Sequence, residues 1–113
     1  MKRASSFAAL AAVAALAATP AAWAKGNAAS GKAKAAQVCA ACHGPLGDKP
    51  STPDQPILAG QHYDYLVYAL LDYKSGKRAN PIMKGFASTL SKEDIEDLAA
   101  WFSSQSSTLR SAR

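Results

Sequence analysis

The chain has 113 residues, 49% of them hydrophobic, 19% charged and 8% aromatic, with a formal net charge of +5. That length accommodates one domain and excludes multi-domain enzyme architectures. The basic residues are dispersed and no arginine-rich run interleaves with the aromatics, so the charge carries no nucleic-acid footprint.

Lys2 and Arg3 open a segment in which residues 4 to 18 are almost wholly Ala, Leu, Val and Phe, and Ala22-Trp23-Ala24 supplies a small-x-small cleavage signal. Residues 1 to 24 are therefore predicted to be a signal peptide cleaved after Ala24, which directs the protein to the periplasm. The apolar run is shorter than the ~20 residues a membrane span requires, so no stable membrane insertion is expected after cleavage. Losing Lys2 and Arg3 leaves 11 basic against 8 acidic residues, a net charge of +3. The remaining 89 residues, 25 to 113, bury a modest core, and domains of this size often rely on a disulfide, a metal or a cofactor.

An all-α fold follows from the hydrophobic periodicity. Ala28, Gly31, Ala35 and Val38 recur every three or four residues and predict a helix over 27 to 43 that Asn27 caps and that runs straight into Cys39-Ala40-Ala41-Cys42-His43. From Gly44 to Gly60, four prolines and three glycines predict an irregular loop, of a length that usually serves function. Leu66, Ala69, Leu70 and Tyr73 predict a second helix over about 61 to 74, ended by Gly76. Residues 76 to 90, with Pro81, Met83 and Gly85, are expected to form another loop. The third main helix is predicted to start at Ser91, where Ser91-Lys92-Glu93-Asp94 reads as a capping box, with Ile95, Leu98, Ala99 and Phe102 as its apolar face. The folded domain thus spans 25 to 105, followed by a Ser-rich tail, 106 to 113, expected to be disordered.

Two cysteines in an exported chain fit a disulfide or a dithiol redox pair, and cysteine with histidine fits zinc. Cys39-x-x-Cys42-His43, however, is the attachment signature of c-type haem: each thiol can add to a vinyl group, and the adjoining imidazole can ligate the iron. A redox dithiol motif wants a strand before it, whereas here a predicted helix precedes and a proline-broken loop follows. Zinc wants further ligands, yet the only other histidine, His62, stands 19 positions after His43. One covalent haem per chain is the favoured cofactor. For its sixth iron ligand the candidates are Met83, the only methionine after Met1, or His62, or none; Met83 is favoured because it sits outside any predicted apolar helix face.

These motifs resemble those of the class I c-type cytochromes, of the short bacterial monohaem kind similar to one half of the di-haem periplasmic cytochromes. The resemblance covers nearly all of 26 to 104: Cys39-Ala-Ala-Cys42-His43-Gly44, Pro56-Ile-Leu58-Ala-Gly60-Gln61, Ser75-Gly76-Lys77-Arg78 leading to Asn80-Pro81-Ile82-Met83, and Leu90-Ser91 before a helix ending Ala100-Trp101-Phe102. It implies three main helices with loops wrapped around one covalently bound haem. It implies that His43 and Met83 are the axial iron ligands, that the Pro56 carbonyl accepts from the second ring nitrogen of His43, and that Leu58 lies against the haem face. Gly31 matches the small residue where the first helix crosses the last, and Leu98 and Trp101 the large residues packed there. Gln61, Tyr65 and Arg78 are the candidates for holding the haem propionates.

The expected function is that of a soluble periplasmic one-electron carrier rather than an enzyme. The alternatives are a haem enzyme or sensor with a labile sixth site, or a haem-bearing subunit of a larger redox complex. Lys74, Lys77, Arg78 and Lys84 cluster around Met83 in sequence, and redox donors and acceptors with acidic surfaces are the expected partners.

Overall fold

The computed structural model describes residues 25–109 together with Ala9, Ala11, Ala12, Ala14 and Ala15; the rest of the predicted leader and residues 110–113 lie outside the described residues. Among the described residues there are five helical segments, α1 (Ala28–Val38), α2 (Ala40–His43), α3 (Tyr63–Ser75), α4 (Pro81–Ala87) and α5 (Lys92–Ser103), and no strand. None of these helices is long and apolar enough to cross a membrane. The all-α expectation with three main helices, now α1, α3 and α5, holds.

Local chemistry explains each boundary. The Asn27 side chain accepts from Ser30 N at 3.0 Å and starts α1. The expected single helix over 27 to 43 is in fact two segments that meet at Cys39, whose φ is −115° and ψ −34°. The Cys39 carbonyl accepts from both Cys42 N and His43 N, at 3.2 and 3.0 Å, so the chain turns and restarts there. Gly76 ends α3 in the left-handed conformation, as predicted. At α5 both halves of the predicted capping box form, Asp94 N to Ser91 Oγ at 3.0 Å and Ser91 N to Asp94 Oδ2 at 2.9 Å.

The segment expected to loop from 76 to 90 contains α4. Asn80 caps it by accepting from Met83 N at 3.0 Å, and Pro81 occupies the first turn, where a missing N–H costs nothing. Seven residues were too few for a periodicity, and Pro81 read as a breaker when it is a starter.

Ala35, Leu66, Leu90, Ile95, Leu98, Ala99 and Phe102 form the core. Ile95 and Leu98 are fully buried, each worth about 1.5–3 kcal/mol in apolar transfer. Helices α1 and α5 cross at Gly31, where a Cβ would collide with the Asp97 carbonyl and lie 2.9 Å from Trp101 Cβ. Only glycine permits that approach. The expected partners Leu98 and Trp101 are present, and Asp97 joins them: it is buried, and its carboxylate accepts from Asn27 N at 2.6 Å.

The irregular segment 44 to 60 folds back on itself, with Leu58 N and Ala59 N both donating to Gly47 O, at 2.7 and 3.1 Å. Gly47 has φ +73°, and a Cβ there would press on the Phe102 ring at 2.7 Å, so both the backbone and the space demand glycine. The loop is thereby pinned to α5 and forms one wall of the cavity described next.

Candidate functional site

A cavity of about 400 Å³ opens between the 44 to 60 loop, α3 and α4. Its volume is in the range of small-molecule and cofactor sites. Nine of the residues singled out from the sequence line it: Cys39, Cys42, His43, Pro56, Leu58, Gln61, Tyr65, Arg78 and Met83. His62, the rival ligand, does not; it is exposed at the N-cap of α3.

His43 is the last residue of α2 and is buried at 6% exposure. Its Nδ1 lies 2.9 Å from the Pro56 carbonyl oxygen. A carbonyl only accepts, so Nδ1 carries the hydrogen and Nε2 keeps its lone pair. The loop that holds Pro56 is tied to the same helix by Ser51 N, which donates to Cys42 O at 2.9 Å, and by Ser51 Oγ, which donates to Ala41 O at 2.7 Å. The imidazole is thus fixed in tautomer and orientation.

Cys39 and Cys42 are half-buried and unbridged, so no disulfide staples this domain. Burial, reinforced by the neighbouring Cys42, pushes the Cys39 thiol up to about 11. Reactive dithiol pairs need the opposite shift, toward a thiolate at neutral pH. Among the described residues no three His, Cys, Asp or Glu side chains gather as a metal site of their own. Both thiols sit on the cavity wall beside a fixed imidazole, and the Cys39 thiol is held protonated.

Met83 belongs to α4 rather than to a loop, and it is half-buried against the cavity. Ile82 and Phe86 of the same helix also face the cavity, and Leu58 extends the apolar wall. The polar end is built from α3 and the turn after it. Arg78 Nη1 donates to Tyr65 Oη at 3.2 Å, its guanidinium lies 4.9 Å from the centre of the Tyr73 ring, and Arg78 N donates to Asp72 O at 3.1 Å. The Tyr65 hydrogen bond raises the Arg78 pKa further, so this is a permanent cation held on a preset fork. Sequence reasoning missed Tyr73, which read as one residue of a core stripe.

The four cations that cluster in sequence gather where α3 ends near α4, and three of them, Lys74, Lys77 and Arg78, also have a local partner. Lys74 donates to the Leu90 carbonyl, Lys77 pairs with Asp72 at 3.8 Å, and Lys84 Nζ lies within 3.1 Å of where a Gly76 Cβ would be.

The residues fit haem c: two free thiols one turn apart, an imidazole with one committed nitrogen, a thioether, apolar walls and a cation at the polar end. Comparison with known proteins agrees. The family model described as cytochrome c oxidase, cbb3-type, subunit III matches residues 26–102. Cytochrome c4 of Pseudomonas aeruginosa is 50% identical over 84 residues, covering 74% of this chain but 41% of that protein. The chain thus spans less than half the length of this curated relative. Cytochrome c-554(548) of Halomonas halodenitrificans is 41% identical over 83 residues and is covered over 98% of its length. The crystal structure of reduced recombinant cytochrome c4 from Pseudomonas stutzeri superposes with a TM-score of 0.68 at 41% identity, covering 74% of this chain and 48% of that one. A family match across the folded unit, a relative covered almost end to end and a shared fold mean that this chain belongs to the class I c-type cytochromes, with haem c as its covalent cofactor and a domain like one half of a cytochrome c4.

Proposed function

We propose that the chain is a periplasmic one-electron carrier in which Cys39 and Cys42 hold the haem as thioethers and His43 and Met83 ligate its iron. The observation that carries this reading is the imidazole of His43: with Nδ1 committed to Pro56 O at 2.9 Å, Nε2 is its one basic nitrogen, in a cavity shared with both thiols and the Met83 thioether. When bound, haem c supplies reversible one-electron chemistry at its iron.

The chain's own residues set the conditions. With haem bound, His43 and Met83 would both be committed to its iron and would leave no place there for a substrate. A thioether is a soft donor that favours the reduced metal, and the apolar wall of Leu58, Ile82 and Phe86 disfavours added positive charge, so both raise the potential. Arg78, with most of its N–H donors unused, is the residue suited to a propionate, with Tyr65 and Gln61 beside it on the cavity wall. Partners with acidic surfaces are steered to the end of the cavity where Lys74, Lys77, Arg78 and Lys84 gather, an attraction that salt weakens. The predicted leader supports the periplasmic location.

The test is maturation in an export-competent host. The expected product has the mass of residues 25 to 113 plus one haem that survives acid and organic solvent. Its ferric form shows the weak charge-transfer band of a methionine–iron bond, and its ferrous spectrum is unchanged by carbon monoxide. A ferrous form that binds carbon monoxide overturns the carrier reading in favour of a labile sixth site.

A further inference from the structure

The turn that delivers the Pro56 carbonyl is built with little help from the core. Residues 50 to 56 read Pro-Ser-Thr-Pro-Asp-Gln-Pro, so backbone N–H groups exist only at Ser51, Thr52, Asp54 and Gln55. Gln55 takes part in the bonds of three of these four. Its side-chain Oε1 accepts from Ser51 N at 2.9 Å and from Thr52 N at 3.2 Å, and its own N donates to Thr52 O at 3.1 Å. The Thr52 hydroxyl is committed to Asp54 Oδ1. Ser51, Thr52, Pro53 and Asp54 are all exposed, whereas Gln55 is half-buried and lines the cavity. No buried side chain pins residues 51 to 54 from below, and the Gln55 amide holds the turn closed.

One end of this turn grips the helix that carries His43, and the other supplies the atom that orients it. Ser51 donates from N to Cys42 O at 2.9 Å and from Oγ to Ala41 O at 2.7 Å. Gln55 is bonded to Pro56, whose carbonyl accepts from His43 Nδ1 at 2.9 Å. Cys42, Ser51, Gln55, Pro56 and His43 thus form a closed ring of bonds, in which the Gln55 side chain is the link between the anchor on α2 and the acceptor. Beyond Pro56 the chain is tied by Leu58 N to Gly47 O at 2.7 Å, so the open side of the carbonyl is the side Gln55 closes. We propose that Gln55 is a positioning residue for the His43 imidazole: its side-chain oxygen holds the 51 to 55 turn shut, and the shut turn fixes the Pro56 carbonyl against Nδ1. This rests on His43 being an axial iron ligand, as proposed above. A fixed acceptor keeps the imidazole basic and its plane set, whereas a turn free to open lets the acceptor drift and weakens the imidazole as a donor to iron.

Gln55→Leu and Gln55→Glu in the ferric holoprotein test this, with the thermal melt and the methionine–iron band as controls for folding. The measurements are the exchange of the paramagnetically shifted His43 Nδ1 proton into deuterium oxide and the reduction potential. Leucine removes the acceptor of two N–H groups, so exchange should quicken by about tenfold or more. The potential should rise, because a less basic imidazole favours ferric iron less. Glutamate accepts from the same two N–H groups, so exchange should stay as slow as in the parent, while its added negative charge lowers the potential. A leucine variant that keeps the parent's exchange rate and potential overturns the proposal. So does a glutamate variant that exchanges as fast as the leucine one or faster than the parent, and this arm decides even where the leucine variant does not mature. A parent protein without the shifted Nδ1 proton overturns His43 ligation itself and this role with it, so the two failures are told apart before any variant is made.

Discussion

Nδ1 of His43 donates to the carbonyl of Pro56 at 2.9 Å, joining the last residue of α2 to a loop residue thirteen positions later. The bond couples the proline-rich loop to the imidazole proposed as an iron ligand, because any displacement of the loop turns the ring. It also separates the two candidate ligands in kind: His43 is held from behind, whereas Met83 depends on the placement of α4.

Met83→Leu tests that dependence. Leucine conserves apolar volume, so a methionine that only packs would tolerate it for under about 1.5 kcal/mol with unchanged spectra. As a ligand its loss is spectroscopic: the ferric form becomes high-spin or takes up water, and the ferrous form binds carbon monoxide. Met83→His should keep six ligands and lower the potential, since imidazole favours ferric iron more than a thioether does. His62→Ala should leave the spectra unaltered.

Replacing either Cys39 or Cys42 with Ser should leave a haem held by a single thioether and a less stable holoprotein. Replacing both should largely abolish maturation, because the 400 Å³ cavity would then have no covalent occupant to complete the core. Haem staining after denaturing electrophoresis reads the outcome directly.

Gly31→Val should destabilise the holoprotein by more than the ~1–3 kcal/mol of ordinary overpacking, since the added atoms meet the Asp97 backbone rather than a flexible side chain. Asp97→Ala, on the other side of the same crossing, removes the acceptor of Asn27 N and should cost about 1–3 kcal/mol. Thermal melting of the two variants checks both.

At the start of α5, Ser91→Ala should cost about 0.5–2 kcal/mol as a lost cap. Asp94 adds a pH signature. Its hydrogen bond from Ser91 N, and the Lys34 ammonium 3.1 Å away, hold its carboxyl below the usual range. A group with a depressed folded pKa stabilises above its unfolded pKa, and that contribution disappears as pH falls through the folded value. The stability gap between parent and Asp94→Asn should therefore be constant at neutral pH and close in acid, as measured by urea unfolding.

What could be read from the sequence was chemistry that acts over a few residues. The cysteine and histidine spacing, the Ser91 to Asp94 cap and the Gly76 stop each carry their meaning locally, whereas the role of Gly31, which meets Asp97 and Trp101 far along the chain, came only through the family resemblance. The junction at Cys39 was hidden because alanine-rich sequence on both sides favours helix, while the deciding event is one carbonyl that takes two donors. Helix α4 was hidden by its brevity. Asp97 is one of four acids in the first turns of α5, and nothing local marks it as the acceptor for a backbone N–H seventy residues earlier. Tyr73 read as core because the apolar stripe of α3 serves two masters: Leu66 and Leu70 pack on α5 and its neighbours, while Ala69 and Tyr73 face the cavity.

The crossing of α1 and α5 at Gly31 ties the beginning of the folded unit to its end. Its closure joins residues some seventy positions apart, so loop-closure entropy is spent before the largest helix contact rewards it. A chain still emerging, with α1 made and α5 absent, has nothing against which to bury Ala35. Such a topology makes α5 the element on which the burial of α1 depends.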